Sequence, residues 1–340
     1  MDGLKLLVML LLMAFGSLSS AQLLQLKAVA HRPLDMGQRL EKIAFGSCNR
    51  HYNTQKFWRD IVAGKPQLWI WGGDNVYADA KNPERLKVVY DEQNADPDYA
   101  YFRSQVPLLG IWDDHDYGPN NSDARLPFKA QSQQLFLDFM GVAKDSPLRL
   151  QKGIYSHHLM GPPDQQVSII ALDNRYFKTS KTLLGETQWQ WLESVLKTQK
   201  AKVTIFVLGV PYAFADVAYS EEWSDYPEEK KKLRDLIQKY DVSGPILLSG
   251  DKHFTHFLTQ DQLLEVMASG LTHTLRKPLR PVVRKLYPGA IIAKNWAELT
   301  LDWSHSPLRL TVAVLGEKRR TFRQEKYLLD KGRWVAQPLP

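Results

Sequence analysis

Short apolar runs rich in β-branched and aromatic residues recur along this 340-residue chain, and four of them break off into polar clusters. Residues 43–47, 68–71, 108–112, 167–172, 203–208, 246–249 and 263–268 each have the length and composition of a buried strand. Amphipathic segments lie between them. In 186–198, Trp189, Leu192, Val195 and Leu196 share one helical face. In 227–240, Leu233, Leu236 and Ile237 do so after a Pro-Glu-Glu start that suits a helix N-terminus. Strands alternating with helices predict an α/β layered fold, and open α/β sheets place ligands beyond the carboxyl ends of their strands. The polar clusters sit at those ends: 43–47 leads into Cys48-Asn49, and 68–71 into Gly72-Gly73-Asp74-Asn75-Val76-Tyr77-Ala78-Asp79. The run 108–112 leads into Asp113-Asp114-His115-Asp116, and 246–249 into Gly250-Asp251-Lys252-His253.

After Asn295 the spacing changes to period two, in Leu299, Leu301 and Trp303 and again in Leu308, Leu310, Val312 and Val314. This predicts closing antiparallel strands over 295–340. No long Gly/Ser or Pro linker and no internal repeat interrupts the chain, so one domain over 22–340 is the simplest organisation. At 44% hydrophobic residues the chain can bury a substantial core, which excludes wholesale disorder. Cys48 is the only cysteine, which excludes an intrachain disulfide and a cysteine-rich zinc module. At the N-terminus, Lys5 precedes an uncharged run over 6–15 and the small residues Ser19-Ser20-Ala21. That pattern predicts a secretory signal over 1–21, cleaved after Ala21, because the apolar run falls short of the roughly 20 residues that span a bilayer. No twin-arginine pair precedes it, so the expectation is Sec-type export and a secreted or periplasmic protein without a transmembrane anchor.

The formal net charge is +7, and residues 271–340 hold 14 basic and 5 acidic residues, so the basic end and the acidic clusters are different regions. Arg276, Lys277, Arg280, Arg284 and Lys285 group around Pro278 and Pro281, while Lys318, Arg319 and Arg320 follow Gly316 as a turn would. Such clusters suit anionic partners, an anionic envelope surface among them; aromatics of the kind that stack bases are sparse there, which argues against nucleic acid as a specific partner.

Among the polar clusters, Asp113-Asp114-His115-Asp116 constrains the chemistry most, because three carboxylates around one imidazole repel unless a cation or a buried role compensates. Asp251 and His253, two apart at a strand end, converge on one ion if the loop turns. Taken alone, Cys48 fits a buried inert thiol and Asp74 a turn-former. Together the four strand ends make a metal-site constellation.

The motifs Phe45-Gly46-Ser47-Cys48, Gly73-Asp74-Asn75-Val76-Tyr77, Trp112-Asp113-Asp114-His115-Asp116, Leu172-Asp173-Asn174-Arg175-Tyr176 and Ser249-Gly250-Asp251-Lys252-His253 resemble those of the PhoD-like alkaline phosphatase/phosphodiesterase family, a branch of the metallophosphoesterases. Their order and spacing cover about 43–270. The resemblance implies an αββα sandwich of two mixed β-sheets flanked by helices, with metal ions at one edge, hydrolysing phosphate monoesters and diesters. It implies that Cys48, Asp74, Tyr77 and Asp251 hold an iron-type ion, with Asp74 or Asp251 bridging, and that Asp114 and His253 serve a neighbouring calcium-like ion. A thiolate and a phenolate are donors suited to trivalent iron, and carboxylates to a hard divalent ion. His115 is then a candidate phosphate contact or leaving-group acid, or else orients Asp114; Arg175 is a candidate phosphate clamp, or else pairs with Asp173. Asn49, Asn75, Asn120 and Asn121 are polar neighbours able to complete coordination.

The chain departs from the family pattern at Asn75, where an aromatic residue is usual, at Ala78-Asp79, and at Asp116, where glutamate is usual. It also has only about 20 residues between the predicted cleavage site and the first core strand, where founding members carry a β domain. Two other functions fit the sequence: a catalytically weak binder of anionic polymer or lipid headgroups through the basic end, and a phospholipid-directed diesterase on the same centre.

Overall fold

The computed structural model describes residues 31–214 and 221–338, so the leader read over 1–21 lies outside the described residues. There the chain forms two mixed sheets. The first is built from β1 (Lys42–Gly46), β2 (Leu68–Gly72), β3 (Leu108–Ile111), β10 (Trp296–Asp302), β11 (Arg309–Gly316), β12 (Arg320–Asp330) and β13 (Arg333–Ala336), in the order β13-β12-β11-β10-β1-β2-β3. Within it β1, β2 and β3 run parallel, and β10 turns the sheet antiparallel by pairing Phe45 with Ala297. The second sheet contains β4 (Ser156–Met160), β5 (Val167–Ala171), β6 (Val203–Val207), β7 (Pro245–Ser249), β8 (Thr255–Gln260) and β9 (Leu263–Ala268), in the order β4-β5-β6-β7-β9-β8. Here β5, β6, β7 and β9 are parallel, and β4 and β8 are antiparallel edges.

Side chains alternate across the central strands, as the pleat requires. Val203, Ile205 and Val207 of β6 and Ile246 and Leu248 of β7 enter the core shared by the two sheets. Phe206 and Leu247 point the other way, into a second core with Trp189, Leu192, Leu233 and Ile237. Those last four lie on α6 (Gly185–Thr198) and α7 (Pro227–Lys239), which cover the outer face of the second sheet. The first sheet is covered by α1 (Phe57–Ala63) and α3 (Pro97–Gln105): Trp58 stacks on Phe102 at 4.5 Å and meets Trp69 and Trp71 edge-on at 5.3 and 5.4 Å. Fully burying each such side chain stabilises the fold by about 1.5–3 kcal/mol. The four layers are the αββα sandwich that the sequence motifs imply.

Because β2, β5, β6, β7 and β9 are buried on both faces, they read in sequence as continuous apolar runs. β11 instead alternates buried Leu310, Val312 and Val314 with Arg309, Thr311 and Ala313, giving the period-two signal. The predicted boundaries hold to within a residue or two; Trp303 falls just beyond β10. The remaining helices are α2 (Pro83–Ala95), the single turn α4 (Asp114–Tyr117), α5 (Lys129–Phe139) and α8 (Arg280–Leu286).

Candidate functional site

The carboxyl ends of β1, β2, β3, β5 and β7 converge at one edge of the sandwich, and their loops are laced together by backbone hydrogen bonds. Asn49 N donates to Asp74 O at 2.8 Å, Ser47 N to Ala268 O at 3.1 Å and Leu208 N to Leu248 O at 2.8 Å. Cys48, Asp74, Asp251 and His253 all have left-handed backbones, with φ of 62°, 52°, 70° and 60°. Non-glycine residues adopt this region at a cost, and such residues cluster at functional sites. Gly73, at φ 92°, permits the close crossing of β2 and β3: a Cβ there would lie 2.6 Å from that of Asp113.

Asp74 is the hub. Its Oδ2 accepts from Tyr77 OH at 3.0 Å and lies 3.5 Å from Cys48 Sγ; its Oδ1 is buried with no partner among the described residues. Tyr77 OH is 2.9 Å from His253 Nε2, and Cys48 Sγ is 3.1 Å from Ser269 Oγ. On the other side of Asp74 stand Asp114 and His115. The structure therefore brings together Cys48, Asp74 and His253 in one group and Asp74, Asp114 and His115 in another, the ligand atoms of each group lying within 4.8 Å of one another. His253 falls in the group with Cys48 and Asp74, and it lines the same cavity as Asp114; Asp251 is partly exposed, with Oδ2 3.2 Å from Lys252 Nζ.

Burial pushes the carboxyl of Asp74 well above the usual range; Asp113, Asp114 and Asp116 add to the effect and His115 opposes it. Burial, with Asp74, raises the Cys48 thiol and the Tyr77 phenol too. Burial also opposes ionisation of Asp114, yet Arg175, His115 and the N–H groups of Asn121 and His115 outweigh it and hold that carboxyl low. For His115, burial opposes the charge, but Asp74, Asp79 and Asp114 lift it to about 10. Its Nδ1 is 2.6 Å from Asp79 Oδ1 and its ring stacks on Tyr77 at 4.1 Å. Several buried anionic donors, one with an unpartnered oxygen, fit a bound cation: a positive charge would favour ionisation of Asp74, Cys48 and Tyr77 together.

Arg175 is held among carboxylates. It is fully buried, with Nε 2.5 Å from Asp113 Oδ1 and Nη1 2.6 Å from Glu221 Oε2, while Asp173 Oδ1 accepts its backbone N–H rather than its side chain. Among the described residues its Nη2 has no hydrogen-bond partner, and it lies 4.0 Å from Asp114 Oδ1. Asp116 is a brace: its two oxygens accept from Asp113 N at 2.7 Å and from Asn75 N at 3.0 Å and Nδ2 at 2.5 Å, and burial pushes its carboxyl up to about 8 against those donors. The Asn49 amide is likewise engaged, donating to Asn75 O and Gln93 Oε1. Asn120 and Asn121 line a cavity of about 470 Å³ that opens beside Asp114, His115, Asp251 and His253.

Sequence reasoning missed His273, whose ring lies 4.3 Å from His253 and 4.9 Å from Tyr77. It also missed Ser269, which accepts from His253 N at 2.8 Å, and Arg50, over the Tyr77 ring at 5.3 Å. The signal was available: β9 ends in Ser269-Gly270, with His273 three residues on, the same strand-end pattern that marks the other ligands.

Two mixed sheets flanked by helices, with ionisable groups at one strand-end edge, are the metallophosphatase architecture. A structure of PhoD has a TM-score of 0.71 at 16% identity, covering 90% of this chain and 73% of that one. A dimetal phosphatase from Danio rerio gives 0.54 at 11% identity, covering 86% of this chain and all of its own, and GAP50, the anchor in the inner membrane complex of Plasmodium, gives 0.54 at 13%, covering 86% and 90%. The chain itself belongs to the PhoD-like phosphatase family, whose sequence pattern matches residues 43–271. No curated protein matches it by sequence. Membership of that family makes hydrolysis of phosphate esters the class of reaction.

Proposed function

We propose that the protein is a metal-dependent phosphoric ester hydrolase, acting on phosphodiesters and monoesters outside the cytoplasm as a single domain over 22–340. The observation that carries the reading is Asp74, buried between two groups of donors with one oxygen unpartnered. Cys48, Tyr77 and His253 with Asp74 would hold one ion, the thiol and phenol favouring iron; Asp114 with Asp74 would hold a second, calcium-like ion, with Asp251 at hand. Cations bound there supply polarisation of the phosphoryl oxygens and activation of a water. The chain's own residues do the rest. His115, fixed through Nδ1 by Asp79, keeps its other nitrogen for the substrate and can give a proton to the leaving oxygen. Arg175 positions Asp113 and the Glu221 rim rather than touching substrate. The signal-like pattern read in the sequence over 1–21 favours a secreted or periplasmic setting.

The test is hydrolysis of bis(p-nitrophenyl) phosphate by Asp74→Ala and Asp251→Ala variants. The reading predicts a loss of at least about 1,000-fold for Asp74→Ala with the fold retained, and a smaller loss for Asp251→Ala. Full activity in Asp74→Ala would overturn it.

A further inference from the structure

The lining of the cavity beside the cluster is of two kinds. One is polar, with Asp114, His115, Glu221, Glu222, Asp251 and His253; the other comes from residues 275–287, with Leu275, Leu279, Val282, Val283, Leu286 and Tyr287. Leu279, Val282, Val283 and Leu286 recur at the spacing of a helical face. Val283 and Tyr287 are buried against Phe214 and Phe254, which anchors the segment, whereas Leu279, Val282 and Leu286 are half-exposed at 51, 51 and 49%. Three aliphatic side chains held open to solvent at the mouth of a polar site form a continuous apolar rim.

The same segment is strongly basic. No acidic residue occurs between Leu271 and Glu298, and Arg276, Lys277, Arg284 and Lys285 are exposed, with no ion pair among the described residues. Arg280 bonds back to Leu275 O and Thr274 Oγ1, fixing the turn that presents them. Lys318-Arg319-Arg320 belongs elsewhere: Arg319 pairs with Glu298 at 2.7 Å. Exposed aliphatics ringed by cations have the composition of a surface that lies on anionic headgroups with its apolar residues at the acyl boundary. A small soluble ester would need neither the half-exposed rim nor four exposed cations. A cavity of about 470 Å³ is large enough for a phosphodiester headgroup, and long hydrocarbon substituents would extend from it over the rim.

From this juxtaposition, and resting on the hydrolase reading above, we infer that residues 275–287 dock on an anionic bilayer and that the substrate is a lipid phosphodiester: its phosphate at the Asp114–His115 wall, its hydrocarbon against Leu279, Val282 and Leu286. Water cleaves one P–O ester bond, the leaving alkoxide taking a proton, so no other reactant is needed.

The test measures co-sedimentation of the full protein with vesicles of phosphatidylcholine alone, or with about 30% phosphatidylglycerol, together with hydrolysis of the vesicle lipid and of soluble bis(p-nitrophenyl) phosphate. Anionic vesicles should bind the protein at least about tenfold better than neutral ones, and less so at high salt. The variant Arg276→Gln/Lys277→Gln/Arg284→Gln/Lys285→Gln should lose at least about 100-fold in vesicle partitioning while hydrolysing the soluble ester within about twofold of wild type. Leu279→Ser/Val282→Ser/Leu286→Ser should lose vesicle hydrolysis by at least about tenfold. Equal binding to neutral and anionic vesicles, an unaffected charge variant, capture by polyphosphate but not by vesicles, or soluble-ester turnover without lipid turnover would each overturn the inference. Failure of the hydrolase reading would show separately, as wild-type protein inert on the soluble ester.

Discussion

Removing the Arg175 guanidinium, as in Arg175→Met, separates a positioning role from a phosphate-clamp role. Arg175 makes one ion pair to Asp113, which is 1% exposed, and another to Glu221, whose side chain is 22% exposed. Glu221 keeps Lys178 as a partner and can reach water, so its loss is small. Among the described residues Asp113 keeps the Asn174 amide, at 3.2 Å, and its Oδ2 has no partner. It is also buried close to Asp114, so an unpaired charge there must be neutralised by protonation or tolerated at full cost. Leaving one partner of a buried pair uncompensated costs about 3–5 kcal/mol, and nearly all of it should fall on Asp113. Equilibrium urea unfolding should therefore show Arg175→Met destabilised by about that amount. Adding Asp113→Asn should recover about half or more of it, since the two residues are in direct contact and should not be additive. A variant less than about 1 kcal/mol destabilised, with phosphate-ester turnover nonetheless collapsed, would refute the positioning argument and restore Arg175 as a substrate clamp.

His115→Asn should lower turnover by about 10²–10⁴-fold, most for substrates with poor leaving groups and least for p-nitrophenyl esters, with metal content unchanged; if His115 only orients Asp114, metal content should fall and all leaving groups suffer alike. Burial, with His157 beside it, lowers His158 to about 4 from an ordinary 6.5. The unfolded chain thus binds this proton more readily than the folded one, so the contribution is complete above pH 6.5 and is lost as the pH falls toward 4. It amounts to at most on the order of 3 kcal/mol, and His158→Gln should flatten the fall in unfolding free energy across that window; an unchanged slope would contradict the assignment.

Much of the fold was legible because its central strands are buried on both faces and therefore read as unbroken apolar runs, as in Leu68–Gly72 and Leu263–Ala268. The edge strand Ser156–Met160, with its Ser-His-His start and partial burial, lacks that signal, and Arg320–Asp330 carries charges along most of its length. The candidate site was legible for a related reason: ligands lie at strand ends, where an apolar run stops at a polar cluster. Contacts made only by folding were not. Nothing local tells that Arg175 meets Glu221, 46 positions away, or that Asp116 turns back to brace Asn75 instead of facing the centre. His253 and Asp251 are two residues apart, and which of them meets Tyr77 depends on successive left-handed turns that composition does not encode.

If the groups gathered around Asp74 hold metal ions, hydrolysis depends on those ions. Elemental analysis of the purified protein, paired with bis(p-nitrophenyl) phosphate turnover before chelation, after chelation and after metal return, tests it most directly. The purified protein should carry at least one tightly bound ion, lose turnover on chelation and recover it on reconstitution. Protein that stays metal-free after incubation with iron and calcium, or that turns over the ester equally well in excess chelator, would contradict it.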